Sequence, residues 1–164
     1  MKHTISVLVE NEFGVLSRVA GLFSGRGFNI ESLSVAPALD PTISRMTIVT
    51  SGDDQVLEQI TKQLNKLIDT IKIIDFTGQD FIEREMGMIK VTAEESTRAE
   101  VLRIVDIFRA KVVDVTPRSY TIEVTGSPSK IDAVVELLRP MGIKELVRSG
   151  PVVLGRGPKG WRNS

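Results

Sequence analysis

Cysteine is absent from the 164 residues. That removes disulfide frameworks, thiolate metal sites and thiol nucleophiles, and it permits a reducing compartment. Histidine occurs once, as His3, too near the start of the sequence to serve well as a general base. A His-dependent triad would have to use it. Charge of one sign is not in excess: 21 basic residues balance 21 acidic ones. No basic stripe offers itself to nucleic acid. No apolar run approaches the roughly 20 residues that cross a bilayer. Met1-Lys2-His3-Thr4 leads straight into a strand pattern without the apolar core of a signal peptide. The expectation is a soluble, cytoplasmic chain with neither a nucleic-acid nor a membrane partner. Paired acids could be sought at Glu83 and Glu85, or at Glu94 and Glu95, but the first pair reads as solvent-facing charge and the second suits a helix start. Asp53-Asp54 reads as a helix cap rather than a metal site. No catalytic residue, metal or cofactor is assigned to this chain.

What is present is pattern. Ile5, Val7 and Val9 alternate over residues 3–10, and Leu16, Val19, Ala20 and Phe23 follow at helical spacing over 15–25. Between them lies Glu10-Asn11-Glu12-Phe13-Gly14, a strand–turn–helix corner. Glycine there supplies a permissive backbone angle or lets a ligand approach closely. The helix then directs free N–H groups and its positive end beyond the strand tip, where a small carboxylate could sit. An effector pocket and an ordinary strand–helix turn both fit these residues. Gly25-Arg26-Gly27 ends the helix. Strands are predicted at 28–38, 43–50 and 70–77, and a helix at 54–68. Pro37 cannot donate to a ladder, so the second strand lies at an edge or ends there. Asp40-Pro41 makes the next turn.

The order repeats. Strands are predicted at 83–92, 111–116, 119–125 and 143–149. One helix opens at Glu94-Glu95-Ser96 and another at Ser127-Pro128. Thr47-Ile48 with Gly52 matches Thr121-Ile122 with Gly126 at an offset of 74, and Leu57, Ile60 and Leu64 match Ile131, Val134 and Leu138 at the same offset. The fold class is α+β, two tandem ferredoxin-like βαββαβ units. They cover 1–77 and 81–150, with a polar hinge at Gly78-Gln79-Asp80 and a flexible tail at 151–164. Gly155-Arg156-Gly157-Pro158-Lys159-Gly160 lacks the spacing of a phosphate loop. The second unit has no glycine at its first turn and two acids instead, which would repel a carboxylate. A small acid would therefore choose the first unit.

One block is more specific than any period. Leu8-Val9-Glu10-Asn11-Glu12-Phe13-Gly14-Val15-Leu16-Ser17-Arg18-Val19, with Arg26-Gly27-Phe28-Asn29-Ile30-Glu31-Ser32-Leu33, resembles the small regulatory subunits of acetolactate (acetohydroxyacid) synthase. Their first unit is an ACT domain, an amino-acid-sensing module. Arg84-Glu85-Met86, Asp114-Val115-Thr116 and Arg148-Ser149-Gly150 extend the likeness over the second unit. Phe13 stands where the family often has proline or a small residue.

The resemblance implies a large catalytic subunit that carries thiamine diphosphate, Mg and FAD, so that this chain is the regulatory part of a transferase. It implies activation of that subunit and feedback inhibition by valine or another branched-chain amino acid. It implies a homodimer through the ACT domain with effectors between protomers. Asn11, Gly14, Val15 and Leu16 would come from one protomer, Asn29 and Ile30 from the other. Asn29 as a turn residue and Ile30 as plain core remain open readings of the same residues. A free-standing ACT-type module acting on another enzyme or on transcription is the alternative.

Overall fold

The computed structural model describes residues 2–161. The alternating run at the start becomes β1 (Lys2–Glu10), and the amphipathic run becomes α1 (Val15–Gly25). β2 (Asn29–Pro37), β3 (Ile43–Ser51), α2 (Asp54–Lys66) and β4 (Thr70–Asp75) complete the first unit in the order β2-β3-β1-β4. All three pairings in it are antiparallel. Ile5, Val7 and Val9 meet Val15, Val19 and Phe23 of α1 and Leu57, Ile60 and Leu64 of α2 in one buried core. Asp53 caps α2, its carboxylate accepting from the Gln55 N–H at 2.7 Å. β2 has one neighbour in the sheet order and so is an edge, as Pro37 foretold.

The second unit repeats this with β5 (Phe81–Thr92), α3 (Arg98–Ile107), β6 (Lys111–Val115), β7 (Ser119–Gly126), α4 (Pro128–Leu138) and β8 (Ile143–Arg148), in the order β6-β7-β5-β8. Ser127 caps α4 by accepting from the Lys130 N–H. It stands 74 residues after Asp53, so the two caps occupy the same offset as the apolar positions. Ile89, Val91, Ile104, Ile122, Ile131 and Leu138 form its core.

Three features lie outside the local pattern. Among the described residues the two compact units are 2–82 with 153–161, and 83–152. Gly78 sits in a turn in which Gln79 donates twice to the 75–76 segment, through N–H to Phe76 O and through Nε2 to Asp75 O. Val152–Gly155, expected within a flexible tail, form a strand, β9. Val153 is buried and its carbonyl accepts from Arg45 Nη2 at 2.8 Å, while Arg45 and Lys72 both lie over the Trp161 ring. Residues 162–164 of that expected tail lie outside the described residues. Finally, α3 opens at Arg98, not at the acids. The Glu94 carbonyl takes the N–H of Thr97 at 3.0 Å and of Arg98 at 2.8 Å, which makes residues 94–97 a turn ahead of the helix.

The acids of β5 also need correction. Glu85 shares the inward face with Gly87, Ile89 and Val91 and is only 5% exposed. It is not solvent-facing charge, because Arg148 reaches it with Nη2 at 2.6 Å and Nε at 3.2 Å, and the Gly150 N–H reaches its other oxygen at 2.9 Å. Arg148 also holds Asp132. The hydrogen bond to Glu85 raises the Arg148 pKa above the ordinary arginine value; burial opposes it, and the bond to Asp132 then adds to the rise.

Candidate functional site

β1 delivers the chain to the corner at Glu10. There the Glu10 N–H donates to Asp69 O and the Asn11 N–H to Thr42 O, both at 2.8 Å. The turn between β1 and α1 is thereby held on one side by the β2–β3 loop and on the other by the α2–β4 loop. Gly14 is the N-cap of α1 with φ 79° and ψ −7°, a left-handed conformation that glycine adopts without cost. No side chain caps this helix and no acid lies in its first turn. The leading N–H groups of α1 have no partner within the helix, and the helix dipole adds partial positive charge at the same place.

The corner is also crowded on one side. A Cβ on residue 14 would lie 3.0 Å from Arg18 Nη1. Arg18 is pinned there by Asp69, with Nη2 at 2.7 Å and Nε at 2.9 Å from one carboxylate oxygen. Neither residue was a sequence candidate. The spacing of four from Gly14 hinted at Arg18, whereas Asp69 is contributed from 51 residues away.

Asn11 is committed in part. Its Nδ2 donates to Pro41 O at 3.0 Å. A carbonyl only accepts, so the amide nitrogen faces Pro41 and the oxygen is turned away from it. Val15 buries its side chain in the core, leaving its backbone as what it can present, and Leu16 is exposed on the outer side of α1. These four residues come together. Asn29 and Ile30 do not join them. β3 pairs Ile43 with Glu10 at one end and Ser51 with Asn29 at the other. Eight residues of strand separate the two ends, about 26 Å at 3.3 Å per residue. Asn29 is exposed and its carbonyl accepts from Thr50 Oγ1 at 2.7 Å, while Ile30 packs partly on the core.

That far end has its own constraint. A Cβ on Gly52 would fall 2.4 Å from the ring of buried Phe28, the residue before Asn29. Gly52→Ala is expected to cost about 1–3 kcal/mol by overpacking, read as a lower melting temperature. His3 is a satisfied core residue beside it. Its Nε2 lies 3.3 Å from Gly52 O and 3.2 Å from Asp54 Oδ1, and Nδ1 lies 3.2 Å from Thr77 Oγ1. It lines a cleft of about 570 Å³ with Asp54, Glu58, Lys62 and Asp75, which takes in none of the sequence candidates. Among the described residues no three His, Asp or Glu side chains form a metal-holding group, and no helix is long and apolar enough to cross a membrane.

Comparison with known proteins gives this geometry a context. A family model described as an AHAS small subunit-like ACT domain matches residues 5–72, and one described as the small subunit of acetolactate synthase matches residues 84–157. The acetolactate synthase small subunit of Mycolicibacterium smegmatis is 53% identical over 96% of this chain and 93% of its own length. The chain belongs to the acetolactate synthase small-subunit family. The small subunit of Aquifex aeolicus is 56% identical over 94% of this chain and 81% of its own. The crystal structure of the small subunit from Thermotoga maritima superposes with a TM-score of 0.88 at 38% identity, covering 97% of this chain and 99% of that one. This is a regulatory subunit, a member of branched-chain amino-acid biosynthesis. A small subunit implies a large one, and the chain associates with the large subunit of acetolactate synthase. The second family match runs to residue 157 and so includes β9, the strand that composition disguised as a tail.

Proposed function

We propose that this chain activates the large subunit, in which thiamine diphosphate, Mg and FAD support the joining of two 2-ketoacids, and that it carries feedback inhibition by valine or a related branched-chain amino acid. The compartment is the cytoplasm. Residues 1–77 serve as the ACT effector domain and residues 81–150 as the C-terminal domain. The observation that supports the effector role is the uncapped, acid-free start of α1 behind a left-handed Gly14. In this reading the backbone of Gly14, Val15 and Leu16 receives the effector carboxylate. Asn11 receives the ammonium through its oxygen, since its nitrogen is engaged by Pro41.

Asn29 and Ile30 come from a second copy. β2 is an edge whose Asn29 and Pro37 lie at opposite ends. Two such edges paired antiparallel about a two-fold axis set the Asn29 end of one against the Pro37 end of the other, the end where Asn11 and Gly14 lie. Ile30 then supplies an apolar wall for a branched side chain. Inhibition requires that the effector bind the inhibited arrangement of the complex more tightly than the active one.

Reconstitution tests this. The purified large subunit should form acetolactate faster with the chain present, and valine should reverse much of the gain. No activation would overturn the activating role. Activation indifferent to valine, leucine and isoleucine would overturn the effector role.

A further inference from the structure

The three most exposed large apolar side chains among the described residues lie at one end of the first unit. Phe13 is 102% exposed, Ile68 97% and Leu39 81%. Each stands on a different loop: Phe13 between β1 and α1, Leu39 between β2 and β3, Ile68 between α2 and β4. Those loops are side by side, because the first is hydrogen-bonded to both others through Asn11 to Thr42 and Pro41 and through Glu10 to Asp69. A single exposed apolar residue is unremarkable, but a set gathered at one place marks a contact surface.

We infer that this loop end is where the chain grips the large subunit of the synthase, with Phe13, Leu39 and Ile68 as its apolar anchors. The inference rests on the regulatory role proposed above and adds its location. A small subunit must offer the large one a surface, and the β2 edge is reserved for a second copy. The loops are also held before any partner arrives. Asp40 takes both the N–H and the O–H of Thr42, at 2.9 and 2.7 Å, and these bonds lower its pKa. Arg18 and Asp69 lock the third loop to α1. Anchors on ordered loops lose little freedom on binding. Phe13 immediately precedes Gly14, so an effector seated at the corner touches the same turn that grips the partner. That adjacency gives a short physical route from effector to catalytic subunit.

The test is the double variant Leu39→Ser/Ile68→Ser, which leaves the corner itself untouched. The concentration of chain giving half-maximal activation of the large subunit should rise at least tenfold. Its melting temperature, its sedimentation as a dimer and its calorimetric affinity for valine should match wild type. Ile107→Ser, an exposed apolar site on α3, is the control and should activate as wild type does. A double variant that activates at the wild-type concentration, or an equal loss in the control, overturns the inference. So does a double variant that sediments as a monomer, since the patch would then join copies of this chain. A wild-type chain that never activates the large subunit overturns the regulatory reading together with this surface.

Discussion

Gly14→Asp is expected to raise the valine concentration for half-maximal inhibition more than tenfold while leaving activation of the large subunit in place. The corner it alters is a left-handed N-cap with φ 79°, followed by a helix start with no side-chain cap and no acid. A carboxylate at residue 14 competes for the N–H groups proposed to receive the effector and sets like charge against like. Loss of one charge-assisted hydrogen bond is worth about 1.5–3 kcal/mol, which is tenfold or more in affinity. The fold should survive. Aspartate is among the few non-glycine residues that visit the left-handed region, and the nearest atom to the new Cβ is Arg18 Nη1 at 3.0 Å, which need give by only a few tenths of an ångström within its pairing to Asp69. Gly14→Ala adds the strain without the charge and should have the smaller effect on inhibition. Melting curves of both variants separate lost binding from lost structure. A Gly14→Asp chain that melts normally and is inhibited at the wild-type valine concentration would place the effector elsewhere.

The largest effect on stability is expected from Arg148→Met. Glu85 is a buried carboxylate whose charge is met by Arg148 and by the Gly150 N–H. Removing the guanidinium leaves that charge with one backbone donor. Breaking such a pair costs about 3–5 kcal/mol, and the lower figure applies here because Arg148 keeps 30% of its side chain in solvent. For a chain of this length that is a fall in melting temperature on the order of 10 °C. Glu85→Leu with Arg148→Met removes both charges and should recover most of the loss, since an apolar pair of similar size often replaces a buried ion pair at little cost. A double variant less stable than Arg148→Met alone would show that the turn around Ser149 and Gly150, not the charge, was being disturbed.

Much of this fold was legible in the sequence because its signals are local. The alternation of Ile5, Val7 and Val9, the caps at Asp53 and Ser127, and the edge marked by Pro37 each depend on a few neighbouring residues. The shared offset of 74 made the second unit readable from the first. The failures are long-range. Alternation set Glu83 and Glu85 on one face but not which face, because the partner that makes burial of Glu85 tolerable, Arg148, is 63 residues away. β9 has four residues, Val152–Gly155, too few for a period to register, and its Val153 is buried in company that sequence does not name. At the candidate site Gly14 was readable because a left-handed turn ahead of a helix calls for glycine. The Asn11–Pro41 and Arg18–Asp69 contacts were not, since only the packing of three loops creates them. The register is also what separates Asn29 from Asn11 and makes a second copy necessary to the proposal.

The most direct measurement is a valine titration of the isotopically labelled chain followed by amide nuclear magnetic resonance. The resonances of Gly14, Val15, Leu16 and Asn29 should move together along one saturation curve, because the proposed site joins one protomer's α1 corner to its partner's β2 start. Shifts confined instead to the cleft around His3, Asp54, Glu58 and Lys62, with the Gly14 and Asn29 resonances unmoved at saturating valine, would contradict the account.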